Sequence, residues 1–214
     1  MSSRTAWAGG RIYLGLPARF VTRARAYGRD HMPLEGGVVL AVNHLHWIDV
    51  PLIGTFSRRD IDFVAKMEAL RVPAFGAYIR WFGTIAVRRG ESDRDAVRAM
   101  RDAARRGRAL GVFVEGTRQK SGRPGKAQPG AAMVAIQEGV PVVPAAIYGT
   151  QAWKLTNFAP CSVAFGTPLD MSGYPKNGRG YKAATAEIEQ RIHNLFDWLA
   201  DVHARGRPEG LTPP

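Results

Sequence analysis

The chain has 214 residues, 45% of them apolar, one cysteine and a formal net charge of +12. Those figures fit a globular domain with a sizeable core, and they exclude an internal disulfide and a cysteine-built metal cluster. The positive excess calls for an anionic partner, whether nucleic acid, membrane surface or phosphorylated substrate, without choosing among them.

Residues 7–27, "WAGGRIYLGLPARFVTRARAY", mix Trp7, Ile12, Tyr13, Leu16, Phe20 and Tyr27 with Arg11, Arg19, Arg23 and Arg25. An amphipathic helix lying on an anionic bilayer has this composition, and so does a helix packed on the domain with a solvated basic face. Pro17 is expected to kink or divide it. "GGVVLAV" (36–42) reads as a buried strand bounded by glycines. Further strands are expected at "DIDFVAK" (60–66), "GTIAV" (83–87), "ALGVFVE" (109–115), "VPVVPAAIYG" (140–149) and "SVAFGTPL" (162–169). In the fifth, Pro141 and Pro144 imply an edge, a strand start or a bulge, because proline donates nothing to a ladder.

Helices are expected between the strands. Residues 94–107 place Val97, Met100 and Ala104 at helical spacing and stop at Gly107. The arginines at 94, 98, 101 and 105 form a solvated stripe beside nearby aspartates. Residues 130–139 form a well-buried helix. Residues 183–204 carry Ile188, Ile192, Leu195, Phe196 and Leu199 on one side and cap the core. Strands alternating with helices define an α/β domain with a largely parallel central sheet flanked by helices. Sites in such sheets lie outside the carboxyl ends of the strands. The tail, "RGRPEGLTPP", reads as loose.

Cys161 suits a reducing setting and opens an apolar run, which makes it a buried thiol rather than a nucleophile. No stretch of about 18 residues is free of charged and strongly polar groups, so no transmembrane helix is expected. The N-terminus lacks the pattern of a signal peptide.

"NHLHWIDVP" (43–51) lies just past the first strand, where a site is expected. His44 and Asp49 stand five apart, about 140° on a straight helix, so they share no helical face. They meet if His44 is on the loop and Asp49 opens the next helix, and Pro51 suits that first turn. An aspartate bonded to one imidazole nitrogen fixes the tautomer and leaves the other nitrogen as a base. Taken alone, Asp49 serves equally as a helix cap, and His46 is a rival base. A second constellation, "VFVEGTRQKSG" (112–122), ends a strand with Glu115, Gly116, Thr117 and Arg118. Glycine lets a ligand approach the backbone, and a hydroxyl and a guanidinium suit phosphate. A charged turn has the same residues. A third strand delivers Arg88 and Arg89, of which only one can face a given site.

Together these blocks resemble the glycerolipid acyltransferases of the phosphate acyltransferase type, including 1-acylglycerol-3-phosphate and glycerol-3-phosphate acyltransferases. The pattern N-H-x4-D is matched by Asn43, His44 and Asp49. G-x-I-F-V-x-R is matched by Gly83, Ile85, Val87 and Arg89, with Ala86 in place of the aromatic. F-P-E-G-T-R is matched by Phe113, Glu115, Gly116, Thr117 and Arg118, with Val114 where proline is usual. V-P-[IV]-[IV]-P is matched by Val140 to Pro144, and Lys66 also fits the pattern. The resemblance spans residues 33–170.

The resemblance implies a fold like that of glycerol-3-phosphate acyltransferase. Residues 1–30 would be a membrane-associating amphipathic helical segment, 31–205 the acyltransferase domain and 206–214 a flexible tail. It implies that His44 takes the proton of a glycerol hydroxyl while that hydroxyl attacks an acyl thioester, with Asp49 orienting the imidazole. Arg89, Gly116, Thr117 and Arg118 would bind the acceptor's phosphate, with Glu115 either grouped with them, positioning the turn or bonding the glycerol, and Lys66 is a candidate oxyanion or donor contact. The expected donor is acyl-CoA or acyl carrier protein, the acceptor 1-acylglycerol 3-phosphate and the product phosphatidic acid. Glycerol 3-phosphate or another lysolipid is the alternative acceptor. No metal and no cofactor are implied. The expected location is the cytoplasmic face of the membrane, peripheral or monotopic. No zinc spacing, RNA-binding signature or helix-turn-helix is present, so nucleic acid is not an expected partner. A basic binding module without catalysis would keep its affinity when His44 is lost.

Overall fold

The computed structural model describes residues 11–66, 84–87 and 93–214. The valine-rich run after Gly37 becomes the middle strand of the sheet, β2 (Val38–Val42), and every residue in it is fully buried. Six other strands are described: β1 (Arg25–Tyr27), β3 (Ile61–Lys66), β4 (Ile85–Val87), β5 (Ala109–Phe113), β6 (Val142–Tyr148) and β7 (Ser162–Phe165). Across the sheet they run β1-β7-β6-β2-β5-β3-β4. All neighbours are parallel except β6 and β7. The described α-helices are α1 (Leu16–Val21), α2 (Asp49–Phe56), α3 (Asp93–Arg105), α4 (Gly130–Glu138) and α5 (Gly178–Ala204).

A strand flanked by parallel neighbours and covered on both faces must be apolar throughout, because alternate side chains enter two cores. Val38, Leu40 and Val42 pack with Ile48, Leu52, Ile53 and Phe56 of α2 and the turn before it. Val39 and Ala41 pack on the other face with Met100 of α3, Val134 and Ala135 of α4, and Ile188 and Ile192 of α5. The predicted strands and helices therefore form the expected α/β layers, with β2 carrying the "NHLHWID" loop out at its carboxyl end.

Both prolines of the fifth predicted strand are accommodated as expected. Pro141 precedes the start of β6. Pro144 faces a bulge: β6 and β7 pair at Ala145↔Phe165 and again at the bridge Val142↔Leu169. Two residues of β6 thus oppose three, Gly166 to Pro168, and the irregular edge needs no N–H from Pro144. The same bulge ends β7 at Phe165, short of the predicted 169. Helix α5 starts earlier than its apolar periodicity shows, because Asn177 caps it by accepting from the Gly180 N–H at 3.1 Å.

Two expectations are corrected. The N-terminal segment is not helical as far as residue 30. A π-helical turn over Arg11–Gly15 leads into α1, with Pro17 in its first turn, and α1 ends at Val21. Arg23 then turns the chain at φ 44°, and β1 follows as an edge strand. Three residues with one buried side chain carry too little pattern to be read from sequence. Gly15 allows this segment to lie on α2, since a Cβ there would come within 2.1 Å of Thr55 Oγ1. The C-terminal residues are not loose either. Arg207 donates to the carbonyls of Arg23 and Cys161, Leu211 packs beside Tyr27 and Trp198, and Pro213 is buried where a Cβ on Gly28 would strike it. Among the described residues, no helix is long and apolar enough to cross a membrane.

Candidate active site

The carboxyl end of β2 delivers Asn43 and His44, and the chain then turns into α2, whose first residue is Asp49. This is the arrangement in which five-residue spacing brings the two side chains together. His44 Nδ1 lies 2.8 Å from Asp49 Oδ2. The same oxygen accepts from the Leu45 and His46 N–H groups, each at 2.8 Å. Asp49 is fully buried, and its Oδ1 has no partner among the described residues. A carboxylate against Nδ1 favours the proton there and so leaves the lone pair on Nε2. The His44 side chain keeps 17% of its surface exposed.

The imidazole is also held from outside the dyad. The His44 N–H donates to Glu115 Oε2 at 2.7 Å, and its carbonyl accepts from the Gln119 N–H at 2.8 Å. Its ring stacks on Phe113 with centroids 4.0 Å apart and planes 24° apart. Phe113 in turn stacks on Phe63 of β3 at 5.8 Å. Asn43, fully buried, bridges to β6 by donating to the Ile147 carbonyl and accepting from the Ile147 N–H, at 3.1 and 2.8 Å. The ends of β2, β5 and β6 are thereby locked into one register around His44.

Glu115, only 6% exposed, has its other oxygen engaged as well, accepting from the Gly125 N–H at 3.0 Å. Burial pushes its carboxyl up to about 7. The amides of Gly125 and His44 oppose that shift, and the charge of Asp49 adds to it. With both oxygens turned to backbone amides, Glu115 ties the loop after β5 to the His44 peptide. The Gly116–Thr117–Arg118 turn beyond it is exposed. Gly116 sits at φ 69°, a conformation glycine adopts without strain. Arg118 makes no ion pair with a carboxylate among the described residues, and its charge reaches His46.

His46 differs from His44. Its backbone N–H serves Asp49, but its ring packs against Trp47 and Trp153, with centroids 5.5 and 5.6 Å away. Its Nδ1 accepts from the Ile48 N–H at 3.4 Å. Burial lowers its pKa, opposed by Asp49 and helped by Arg118 and His44. Cys161 is buried, and that burial pushes its thiol up to about 12, so it supplies no thiolate. The arginine stripe of α3 is partly tied down, since Arg101 and Arg105 both bond Glu138 of α4. Arg89 lies outside the described residues. Lys66 closes β3 opposite Val87, and its side chain is not among those described. Gln119 and Gly125 act through backbone amides, which leave no trace in side-chain patterns; Phe113 and Asn43 lie inside the quoted motifs, but their jobs depend on register.

A buried carboxylate bonded to an imidazole at the carboxyl edge of a parallel sheet, with no serine or cysteine bonded to that ring among the described residues, is an arrangement able to take a proton from a hydroxyl. The sequence profile of the Acyltransferase family matches residues 23–148. The chain belongs to that family. It is 27% identical over 180 residues to the 1-acyl-sn-glycerol-3-phosphate acyltransferase of Bacillus subtilis, covering 82% of this chain and 89% of that protein. It is 34% identical over 107 residues to the lyso-ornithine lipid O-acyltransferase of Pseudomonas aeruginosa, covering 49% of this chain and 40% of the other. The fold is shared with the crystal structure of the 1-acyl-sn-glycerophosphate (LPA) acyltransferase PlsC from Thermotoga maritima, with a TM-score of 0.65 at 22% identity over 91% of this chain and 82% of that one.

Proposed function

We propose that this acyltransferase moves a fatty acyl group from an acyl-CoA or acyl carrier protein thioester to the free hydroxyl of 1-acylglycerol 3-phosphate, giving phosphatidic acid. The observation that carries this reading is the 2.8 Å bond from His44 Nδ1 to the buried Asp49. It makes His44 Nε2 a base for a hydroxyl brought by the substrate. As the hydroxyl oxygen attacks the thioester carbonyl, its proton passes to Nε2 and Asp49 offsets the imidazolium charge. The carbon–sulfur bond then breaks, and the proton leaves with the thiolate.

Gly116, Thr117 and Arg118 are proposed to hold the acceptor's phosphate at the mouth, with Arg89 assigned to the same task by its motif. Glu115 is given a positioning role: with both oxygens bonded to backbone amides, it fixes the His44 peptide rather than reaching a phosphate. The chemistry belongs to the two substrates and the side chains named, and calls for no cofactor. A lipid acceptor would put the proposed reaction at a membrane surface, and an acyl-CoA or acyl carrier protein donor would put it on the cytoplasmic face. The similarity to a lyso-ornithine lipid acyltransferase favours that lysolipid as the second acceptor to try.

The test is acyl transfer from a long-chain acyl-CoA to 1-acylglycerol 3-phosphate in vesicles, wild type beside His44→Ala. Phosphatidic acid made by the wild type and lost in a folded His44→Ala is the expected result. Wild-type activity on lyso-ornithine lipid alone would replace the acceptor. Silence with every donor, on both lysolipids and on glycerol 3-phosphate, would overturn the reading.

A further inference from the structure

Residues 149–161 leave β6 at the site and return to the start of β7, and they expose two large apolar side chains, Leu155 (67%) and Phe158 (48%). A flexible loop would fold such groups inward. This one is built rigid. Asn157 Oδ1 accepts from the Lys154 and Ala159 N–H groups at 2.9 and 3.0 Å, and its Nδ2 donates to the Ala152 carbonyl at 2.8 Å. The Phe158 N–H closes the turn on the Lys154 carbonyl, and Phe158 itself sits at φ 47°. A bulky side chain is disfavoured in that conformation, and such a residue persists where the surrounding structure holds it for a use.

The loop is anchored at both flanks. Trp153 is buried, donates from its ring nitrogen to the Val21 carbonyl at the end of α1, and meets the Trp47 ring at 6.1 Å beside the His44 loop. The Cys161 N–H bonds the Thr22 carbonyl at 2.9 Å. The loop therefore stands between α1, which exposes Leu16 and Phe20, and Trp47, which is 41% exposed. Charge complements the apolar groups: Lys154 is exposed in the turn and Arg19 and Arg23 are exposed on and just after α1, while residues 11–29 and 149–161 hold no carboxylate.

We propose that the 154–158 turn is a second membrane-contacting element, distinct from the N-terminal segment, and that Leu155 and Phe158 enter an anionic bilayer beside the mouth of the His44 site. This rests on the reading that the acceptor is a lysolipid delivered from a membrane. An apolar tip accompanied by cations binds such a surface through buried area and anionic headgroups together. A contact beside the active-site mouth also lets the acceptor's headgroup reach the Arg118 turn while its acyl chain stays in lipid.

Full-length wild type, Leu155→Asp/Phe158→Asp and Leu34→Asp are to be sedimented with vesicles of phosphatidylglycerol and phosphatidylcholine, without acyl donor or acceptor. Leu34 is equally exposed, at 57%, but precedes β2 at the opposite end of the sheet. The double variant is expected to partition about tenfold more weakly, with Leu34→Asp like wild type and both unfolding at the wild-type temperature. Leu155→Cys in a Cys161→Ser background carries an environment-sensitive fluorophore, whose emission should shift blue on these vesicles. Wild-type binding by the double variant, with a label that stays in water, would overturn the proposal. So would a label that shifts with protein concentration in the absence of lipid, which would make the occupant a second copy of the chain. The readout is independent of turnover. Vesicle binding through the loop without phosphatidic acid synthesis would sink the acceptor reading alone, and the converse would sink this one alone.

Discussion

Asp49→Asn is the sharpest probe of the base. The substitution keeps the shape and removes the charge. The amide oxygen can still accept from His44 Nδ1 and the two backbone N–H groups, while the amide nitrogen replaces an oxygen that is buried without a partner among the described residues. An unsatisfied donor there costs about 1–3 kcal/mol of stability, so the variant should fold. The kinetic cost is larger. With nitrogen and oxygen 2.8 Å apart, the charge centres of imidazolium and carboxylate lie about 4 Å apart, worth about 4 kcal/mol at the effective dielectric of a protein site. The imidazolium exists only once the proton has moved, so this energy is missing from the transition state and not from substrate binding. At 1.36 kcal/mol per tenfold, kcat should fall by about 10³ with KM for either substrate little changed. The assay is steady-state release of free thiol from acyl-CoA, checked by the phosphatidic acid formed. A folded Asp49→Asn with kcat within about threefold of wild type would refute the role given to the carboxylate.

Arg118→Ala should raise KM for 1-acylglycerol 3-phosphate by about 10–100-fold and leave kcat nearly unchanged, the loss expected of one charge-assisted contact; an unmoved KM removes Arg118 from the phosphate site. Glu115→Gln separates positioning from titration. Because burial holds the folded carboxyl at about 7 against its ordinary 4.5, the folded chain binds this proton more tightly than the unfolded chain. The stability Glu115 contributes is therefore greatest below pH 4.5 and declines as pH rises through 7, by about 3 kcal/mol in all. Melting temperatures of wild type and Glu115→Gln should accordingly draw together, or reverse order, between pH 5 and pH 8; a gap that widens with pH refutes the burial account.

The parallel sheet was legible because doubly buried strands leave unbroken apolar runs, and "GGVVLAV" and "ALGVFVE" are such runs. The His44–Asp49 meeting was legible because the spacing is impossible on one helix and natural across a loop–helix boundary. Other features have no period to find. β1 is three residues long, and α5 begins in "GRGYK", which no apolar stripe marks. The docked tail depends on Pro213 finding Gly28, a contact between the two ends of the chain that local composition cannot encode. Glu115 was the residue whose part the motif left open. Its neighbours Gly116, Thr117 and Arg118 have the chemistry of an anion-binding turn, and adjacency in sequence drew it into their company. Burial separates them: Glu115 turns inward to two amides while Thr117 and Arg118 turn out to solvent.

That division bears on how the proposed site, with no serine or cysteine bonded to His44 among the described residues, would keep its geometry. A serine or cysteine enzyme fixes its attacking atom covalently. In the proposed mechanism the attacking oxygen arrives with the acceptor, so the geometry of attack would depend on how well His44 is held relative to the 116–118 turn. The His44 peptide is gripped at its N–H by Glu115 and at its carbonyl by the Gln119 N–H, and both residues flank Thr117 and Arg118. The residues that clamp the base and those that would grasp the phosphate therefore belong to one loop. On the proposed reading, a displacement of that loop would carry His44 and the acceptor's anchor together. Placing reacting groups within near-attack distance accounts for a large part of such catalysis. In the proposed site that placement would fall to backbone hydrogen bonds between two strand ends, with Asn43 tying in a third through Ile147.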